Sequence, residues 1–123
     1  MSASIWLAVM DAHGTLSGVG RARKVGRATV LDGAIVDWEE FEVKWDEAHQ
    51  PENEGLHHAR IAKFFLDHRA DWVLAAGAGP DMRRMLEHAG IRLTLGGGNA
   101  REAVAHIYAR AAARPEPAAS PAP

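Results

Sequence analysis

Residues 54–99 constrain the fold more than any other part of the chain. They read Glu54-Gly55-Leu56-His57-His58-Ala59-Arg60, then a helical stretch, then the apolar strand Trp72-Val73-Leu74-Ala75-Ala76. The turn Gly77-Ala78-Gly79-Pro80 follows, then a second helix, a short strand and the loop Gly96-Gly97-Gly98-Asn99. A repeated strand, glycine turn and helix start brings several helix N-termini to one edge of a sheet. Such an edge is where α/β proteins bind ligands, anions above all, because the first amides of a helix have no intrahelical partner and the macrodipole is positive there. A histidine at the same edge is a candidate metal contact.

The flanking sequence fills in the rest of the sheet. Ile5-Trp6-Leu7-Ala8-Val9-Met10 is a continuous apolar run, as expected of a strand buried on both faces, and it stops at the turn-rich Asp11-Ala12-His13-Gly14. Residues 25–31 form a second strand, and Asp32-Gly33 supplies the positive-φ pair of a type I′ hairpin. A third strand starts near Ala34 and extends as far as Trp45. Phe41, Val43 and Trp45 alternate with Glu42 and Lys44, while Val36 and Trp38 fall on the opposite parity, which predicts a bulge near Glu39-Glu40. Residues 46–55 are a polar loop, followed by a helix over 57–69 whose apolar face is Ile61, Phe64 and Phe65. Pro80 suits the first position of the second helix, which carries Met82, Met85, Leu86 and Ala89 at helical spacing and ends at Gly90. After a strand over 91–95, Asn99 and Glu102 have capping-box spacing at the start of a third helix. From Arg114 onward the chain is Pro, Ala, Ser and Glu, which bury too little surface to fold. The expected organisation is one domain over residues 1–112 and a tail over 113–123.

The element order is thus β-β-β-α-β-α-β-α, an α/β fold with a mixed five-stranded sheet. Right-handed crossovers make strands one, three, four and five parallel if strand two is antiparallel to its neighbours. Their C-terminal ends then share one edge, which collects residues 11–14, 46–55, 77–80 and 96–99.

Composition bounds the function. The 123 residues are 47% hydrophobic and 24% charged, with net charge -2 and a pI near 6.4. That balance argues against a general nucleic-acid or membrane role. No run approaches the roughly 20 apolar residues needed to span a bilayer. There is no cysteine, hence no disulfide and no thiolate ligand from this chain. The first residues, Met1-Ser2-Ala3-Ser4-Ile5, lack the basic and apolar regions of a signal peptide, and a cytoplasmic location is expected.

The pattern Gly55-x-His57-x-Ala59-Arg60-x-Ala62, followed by Ala75-Ala76-Gly77-x-Gly79-Pro80 and the late glycine loop, resembles the dinitrogenase iron–molybdenum cofactor biosynthesis family, that is, NifX-like proteins and the C-terminal domains of NifB-like proteins. The resemblance covers about residues 5–110. It implies a single three-layer domain with a ribonuclease-H-like motif. It further implies binding, carrying or inserting an iron–sulfur-based cofactor, the iron–molybdenum cofactor or its precursor, without catalysis, alongside nitrogenase assembly proteins. Two departures stand out. The family often has His-Phe-Gly-Arg-Ala after the first strand, whereas here Gly18-Val19 precede Gly20-Arg21-Ala22, so that histidine is missing. Many members also carry a cysteine.

Each candidate site residue has a functional and a structural reading. His57 lies one turn before Ile61, on the sheet-facing stripe, and is the candidate metal ligand; alternatively it is a histidine packed at a helix start and bonded to a loop carbonyl. His58, about 100° further round the helix, is expected to face solvent. His13 and Asp11 follow the first strand at the same edge, and His13 is placed to replace the missing family histidine or to be a surface loop residue. Gly77, Gly79, Gly97, Gly98 and Asn99 form either a nest of amides for an anion or tight turns needing small residues. Arg21, Arg23, Lys24 and Arg27 attract an anionic cluster or an acidic partner, or simply solvate a strand. The alternatives to a carrier are a cofactor-free regulatory or interaction domain, and a metal-dependent nuclease. The nuclease requires about three or four clustered carboxylates, of which only Asp11 is suitably placed.

Overall fold

Apolar runs bounded by glycine turns become strands here, and amphipathic stretches become the helices that cover them. The computed structural model describes residues 3–48 and 54–113. Strands β1 (Ser4–Met10), β2 (Lys24–Leu31), β3 (Ala34–Glu42), β4 (Trp72–Ala75) and β5 (Arg92–Leu95) form one sheet in the order β3-β2-β1-β4-β5. β2 is antiparallel to β1 and β3, whereas β1, β4 and β5 are parallel. The helices are α1 (Trp45–Ala48), α2 (Glu54–Asp67), α3 (Pro80–His88) and α4 (Ala100–Ala113), and a 3-10 turn spans Val19–Arg21. This is the mixed five-stranded sheet of a single α/β domain, as expected.

Two cores account for the three layers. On one face, Ile61 and Phe65 of α2 and Met82 and Leu86 of α3 pack on Leu7, Val9, Val25, Val73 and Ala75. On the other, Ala100 and Val104 of α4 pack on Trp6, Ala8, Met10, Ala28, Val30 and Leu74. Residues 6–10 of β1 are all buried because successive side chains feed alternate cores. Each buried Val, Leu or Phe contributes about 1.5–3 kcal/mol, so the central strands β1 and β4 anchor the edge that their C-termini form.

The turns follow their chemistry. Asp32 and Gly33 have φ of 53° and 84°, as a type I′ hairpin demands. Gly90, at φ 77°, ends α3, with its amide on the Glu87 carbonyl and that of Ile91 on the Leu86 carbonyl. Asn99 Oδ1 accepts the Glu102 amide at 2.9 Å, the N-cap half of the expected capping box.

Three expectations need correction. The third strand stops at Glu42: Lys44 takes φ 55°, and Trp45 begins α1 as a buried residue edge-on to Phe64 and Phe65. The bulge is at Val36, between the pairs Val30↔Ile35 and Thr29↔Asp37, and not near Glu39-Glu40. The parity change that suggested Glu39-Glu40 is simply a two-faced strand, with Trp38 packed on the α4 core and Phe41 edge-on to Phe64 of α2. Finally, α2 begins at Glu54, so His57 sits a turn inside the helix. Residues 49–53 of the expected polar loop, and the expected tail from Arg114, lie outside the described residues.

Candidate functional site

The C-terminal edge of β1, β4 and β5 is bridged by the chain that leaves β1. Ser17 accepts the Ala76 amide at 2.8 Å, Gly18 pairs with Gly77, and the Val19 amide donates to the Gly77 carbonyl at 3.0 Å. The 3-10 turn is thereby laid beside the glycine turn after β4. Between them lies a cavity of about 240 Å³. Its walls are the backbone of residues 18–21, the 77–80 turn, the first residues of α3, and His58 from α2. From the other side the turn is buttressed by α1: the Asp46 amide donates to the Ala22 carbonyl, and Arg23 pairs with Glu47 at 2.6 Å. That contact holds the Glu47 carboxyl below its ordinary range, chiefly through the Arg23 hydrogen bond.

The α3 end of this cavity is unusual in one respect. Gly79, the N-cap, has φ -72° and ψ 168°, the extended backbone that serves a capping side chain, yet it has none. Neither Gly77 nor Gly79 has a left-handed φ, and a Cβ at either would meet nothing within 4 Å. Conformation and packing therefore do not require glycine at either position. With no side chain at Gly79, Pro80, Asp81 and Met82 of the first turn of α3 border the cavity directly. Arg21 is the cationic side chain lining it; Asp81, also on its rim, is paired with Arg84.

The site residues expected from the sequence divide into three groups. Gly77 and Gly79 line the cavity, while Gly97, Gly98 and Asn99 do not. The latter group is zipped to the loop after β1: Thr15 bridges Asn99, the Leu16 amide donates to the Gly98 carbonyl at 2.8 Å, and the Ala100 amide donates to the Gly14 carbonyl at 2.8 Å. Gly98, at φ 81°, is a conformational glycine, and the Asn99 side chain is the α4 cap. Asp11 Oδ1 accepts the amides of His13 at 2.8 Å and Thr15 at 3.1 Å, which closes the loop. These amides, Thr15 foremost, lower its pKa. His13 is exposed and does not line the cavity.

Of the two adjacent histidines, His57 takes the packed, carbonyl-bonded alternative and His58 departs from expectation. His57 is 3% exposed, and its Nε2 donates to the Gly20 carbonyl at 3.0 Å, the arrangement of a packed helix-start histidine. His58, expected to face solvent, is half-buried and lines the cavity. The available signal was the buried stripe itself: residues 57, 61 and 65 all point under the sheet edge, which turns residue 58 towards its mouth. Among the described residues no three His, Cys, Asp or Glu side chains are grouped to hold a metal ion. The donor set is one imidazole, one guanidinium and backbone amides. It suits a preassembled cluster whose metals are already bridged by sulfide, and not a bare ion needing a full ligand set.

The fold and site are those of a small α/β domain with a cavity at its sheet edge, bordered by Arg21 and His58. The chain belongs to the dinitrogenase iron–molybdenum cofactor family, which it matches over residues 7–110. That membership supports a role in nitrogenase cofactor biosynthesis. Among solved structures the fold is similar to PH0822, with TM-score 0.68, 19% identity, and coverage of 85% of this chain and 88% of that one. It is also similar to a Methanocaldococcus jannaschii protein provisionally described as a dinitrogenase (TM-score 0.66, 9% identity, 91% and 93% coverage). A Thermotoga protein provisionally described as a NifB protein is a further match (TM-score 0.59, 16% identity, 85% and 86% coverage). Among curated proteins none matches. No helix among the described residues is long and apolar enough to cross a membrane.

Proposed function

We propose that the protein binds an anionic iron–sulfur-based cluster, the iron–molybdenum cofactor or its precursor, as cargo in the cavity between residues 18–21 and 77–82, and carries it between nitrogenase assembly proteins without transforming it. The observation that carries this reading is the uncapped N-terminus of α3, where a backbone poised for a capping side chain is glycine and opens on a cavity. Amides there donate to bridging sulfides or to a bound carboxylate, and Arg21 balances charge. His58 is the imidazole placed to face a metal of the cluster, in preference to His57, whose Nε2 is bonded to Gly20. A helix end contributes only about 0.3–1 kcal/mol, so the directional imidazole contact is needed for retention.

The test is anaerobic mixing with an isolated iron–molybdenum cofactor, followed by gel filtration and iron analysis. Wild type should co-elute with iron, and His58→Ala should retain at most about a tenth of it, the loss expected for a hydrogen-bond- or ligand-sized contact of 1.4 kcal/mol or more. Equal retention by His58→Ala removes the ligand assignment. A second reading, a cofactor-free interaction domain, draws on Gly18 standing where the family often has histidine, on the cavity wall itself. Absence of iron in the wild-type peak favours that reading.

A further inference from the structure

Among the described residues His57 is the single buried polar or charged side chain. It occupies a position of the α2 stripe, with Ile61 and Phe65, that an apolar residue would fill at no desolvation cost. Its Nε2–H reaches the carbonyl of Gly20, in the middle of the 3-10 turn. A turn of this length closes a carbonyl only at its start, Gly18 accepting the Arg21 amide at 3.2 Å, and the Gly20 carbonyl is met by His57. Its two ends are held from elsewhere: Gly18 and Val19 by Gly77, and Ala22 by the Asp46 amide. The middle is held by His57.

We propose that His57 is a positioning residue. It sets the cavity wall of residues 18–21, and with it the placement of Arg21, by holding the Gly20 carbonyl, and it does so without touching the cargo. The significance for cargo binding rests on the reading above; the positioning itself is readable in the empty protein.

The two roles make opposite demands on a substitution. The side-chain amide nitrogen of Gln lies the same number of bonds from Cα as the imidazole Nε2, whereas that of Asn lies one bond short. Gln restores a donor to Gly20 but is a poor substitute for imidazole on iron. In the apo protein, His57→Ala and His57→Asn should speed hydrogen exchange at the Val19 and Arg21 amides by about tenfold or more, the response to a buried carbonyl losing its donor. The Ala8 and Val30 amides in the sheet, which report the fold as a whole, should not change. His57→Gln should match wild type at all four amides and bind the isolated iron–molybdenum cofactor within about threefold of wild type, less than the tenfold that 1.4 kcal/mol represents. Nitrogen-15 spectra of wild type should show the His57 Nε2–H tautomer before and after loading.

Unchanged wall amides in His57→Ala overturn the proposal, as does a His57→Gln that behaves like Ala. Loss of the Nε2 proton on loading identifies His57 as a ligand and overturns it too. If wild type binds no cluster, the carrier reading falls, while the exchange comparison still decides the positioning role. Should the Ala and Asn variants not fold, the wild-type spectra and the Gln variant decide it.

Discussion

Gly79→Ser should make the protein more stable and a worse binder. The backbone at Gly79 already has N-cap dihedrals, so a serine hydroxyl can accept an amide of the first turn of α3 without rearrangement. Its Cβ enters open space. Serine exceeds glycine at an N-cap by a few tenths of a kcal/mol, and removing a glycine from the unfolded chain adds about 0.4–1 kcal/mol. The sum is about 0.7–1.3 kcal/mol. At about 4 °C per kcal/mol for a domain of this size, melting should rise by ~3–5 °C. Binding should move the other way. The hydroxyl occupies the amide that the cargo would use and fills part of a cavity of about 240 Å³. A hydrogen bond to a charged group contributes about 1.5–3 kcal/mol, so affinity for the anionic cluster should fall by roughly 10- to 100-fold. The assays are a thermal melt of the apo protein and an anaerobic cofactor titration of both proteins. A Gly79→Ser variant that melts lower, or that binds the cluster as well as wild type, refutes the argument that this glycine is kept for a ligand.

Three further outcomes follow from the same geometry. Gly26→Ala should destabilise by ~1–3 kcal/mol, because a Cβ there overlaps the Trp38 ring and comes within 3.0 Å of Met10 Cε; a melting temperature within a degree of wild type would show that the ring has somewhere to go. The Glu40 carboxyl is held below its ordinary pKa by the Trp38 indole N–H and then by Lys24, so its contribution is present above the ordinary glutamate range and is lost as pH falls through the depressed value. Glu40→Gln should therefore lower the melting temperature at neutral pH, by a deficit that shrinks as pH falls through the depressed value; a deficit that does not change with pH would contradict this. Magnesium- or manganese-dependent cleavage of RNA, DNA or a hybrid should be absent, since Asp11 Oδ1 is committed to two loop amides; cleavage abolished by Asp11→Asn would reopen the nuclease alternative.

Most of the fold was legible because it rests on local rules. Apolar runs, the Asp32-Gly33 hairpin, the Gly90 terminus and the Asn99 cap each specify their own neighbourhood, and right-handed crossovers then set the shared direction of β1, β4 and β5. The errors came where local pattern is ambiguous. Opposite parities along 36–45 read equally well as a bulge or as a strand with two buried faces, and only the presence of α4 opposite α2 decides between them. Lys44 gives no warning of its positive φ, which is imposed by the amides of Val43 and Lys44 both turning to the Arg23 carbonyl. The glycines at 77, 79, 97 and 98 look alike in sequence. Their difference, a required left-handed φ at Gly98 and none at Gly79, exists only in three dimensions.

The histidine pair shows how one geometric premise can serve two readings of a side chain. The helical spacing does place residue 57 on the stripe with Ile61 and Phe65, aimed at the sheet edge. On a helix lying flat against a sheet, that stripe is the buried one, so a residue sharing it reaches the loops from beneath and satisfies a carbonyl there. The next residue lies about 100° round the helix, and there His58 borders the cavity, while the His57 Nε2 meets the Gly20 carbonyl.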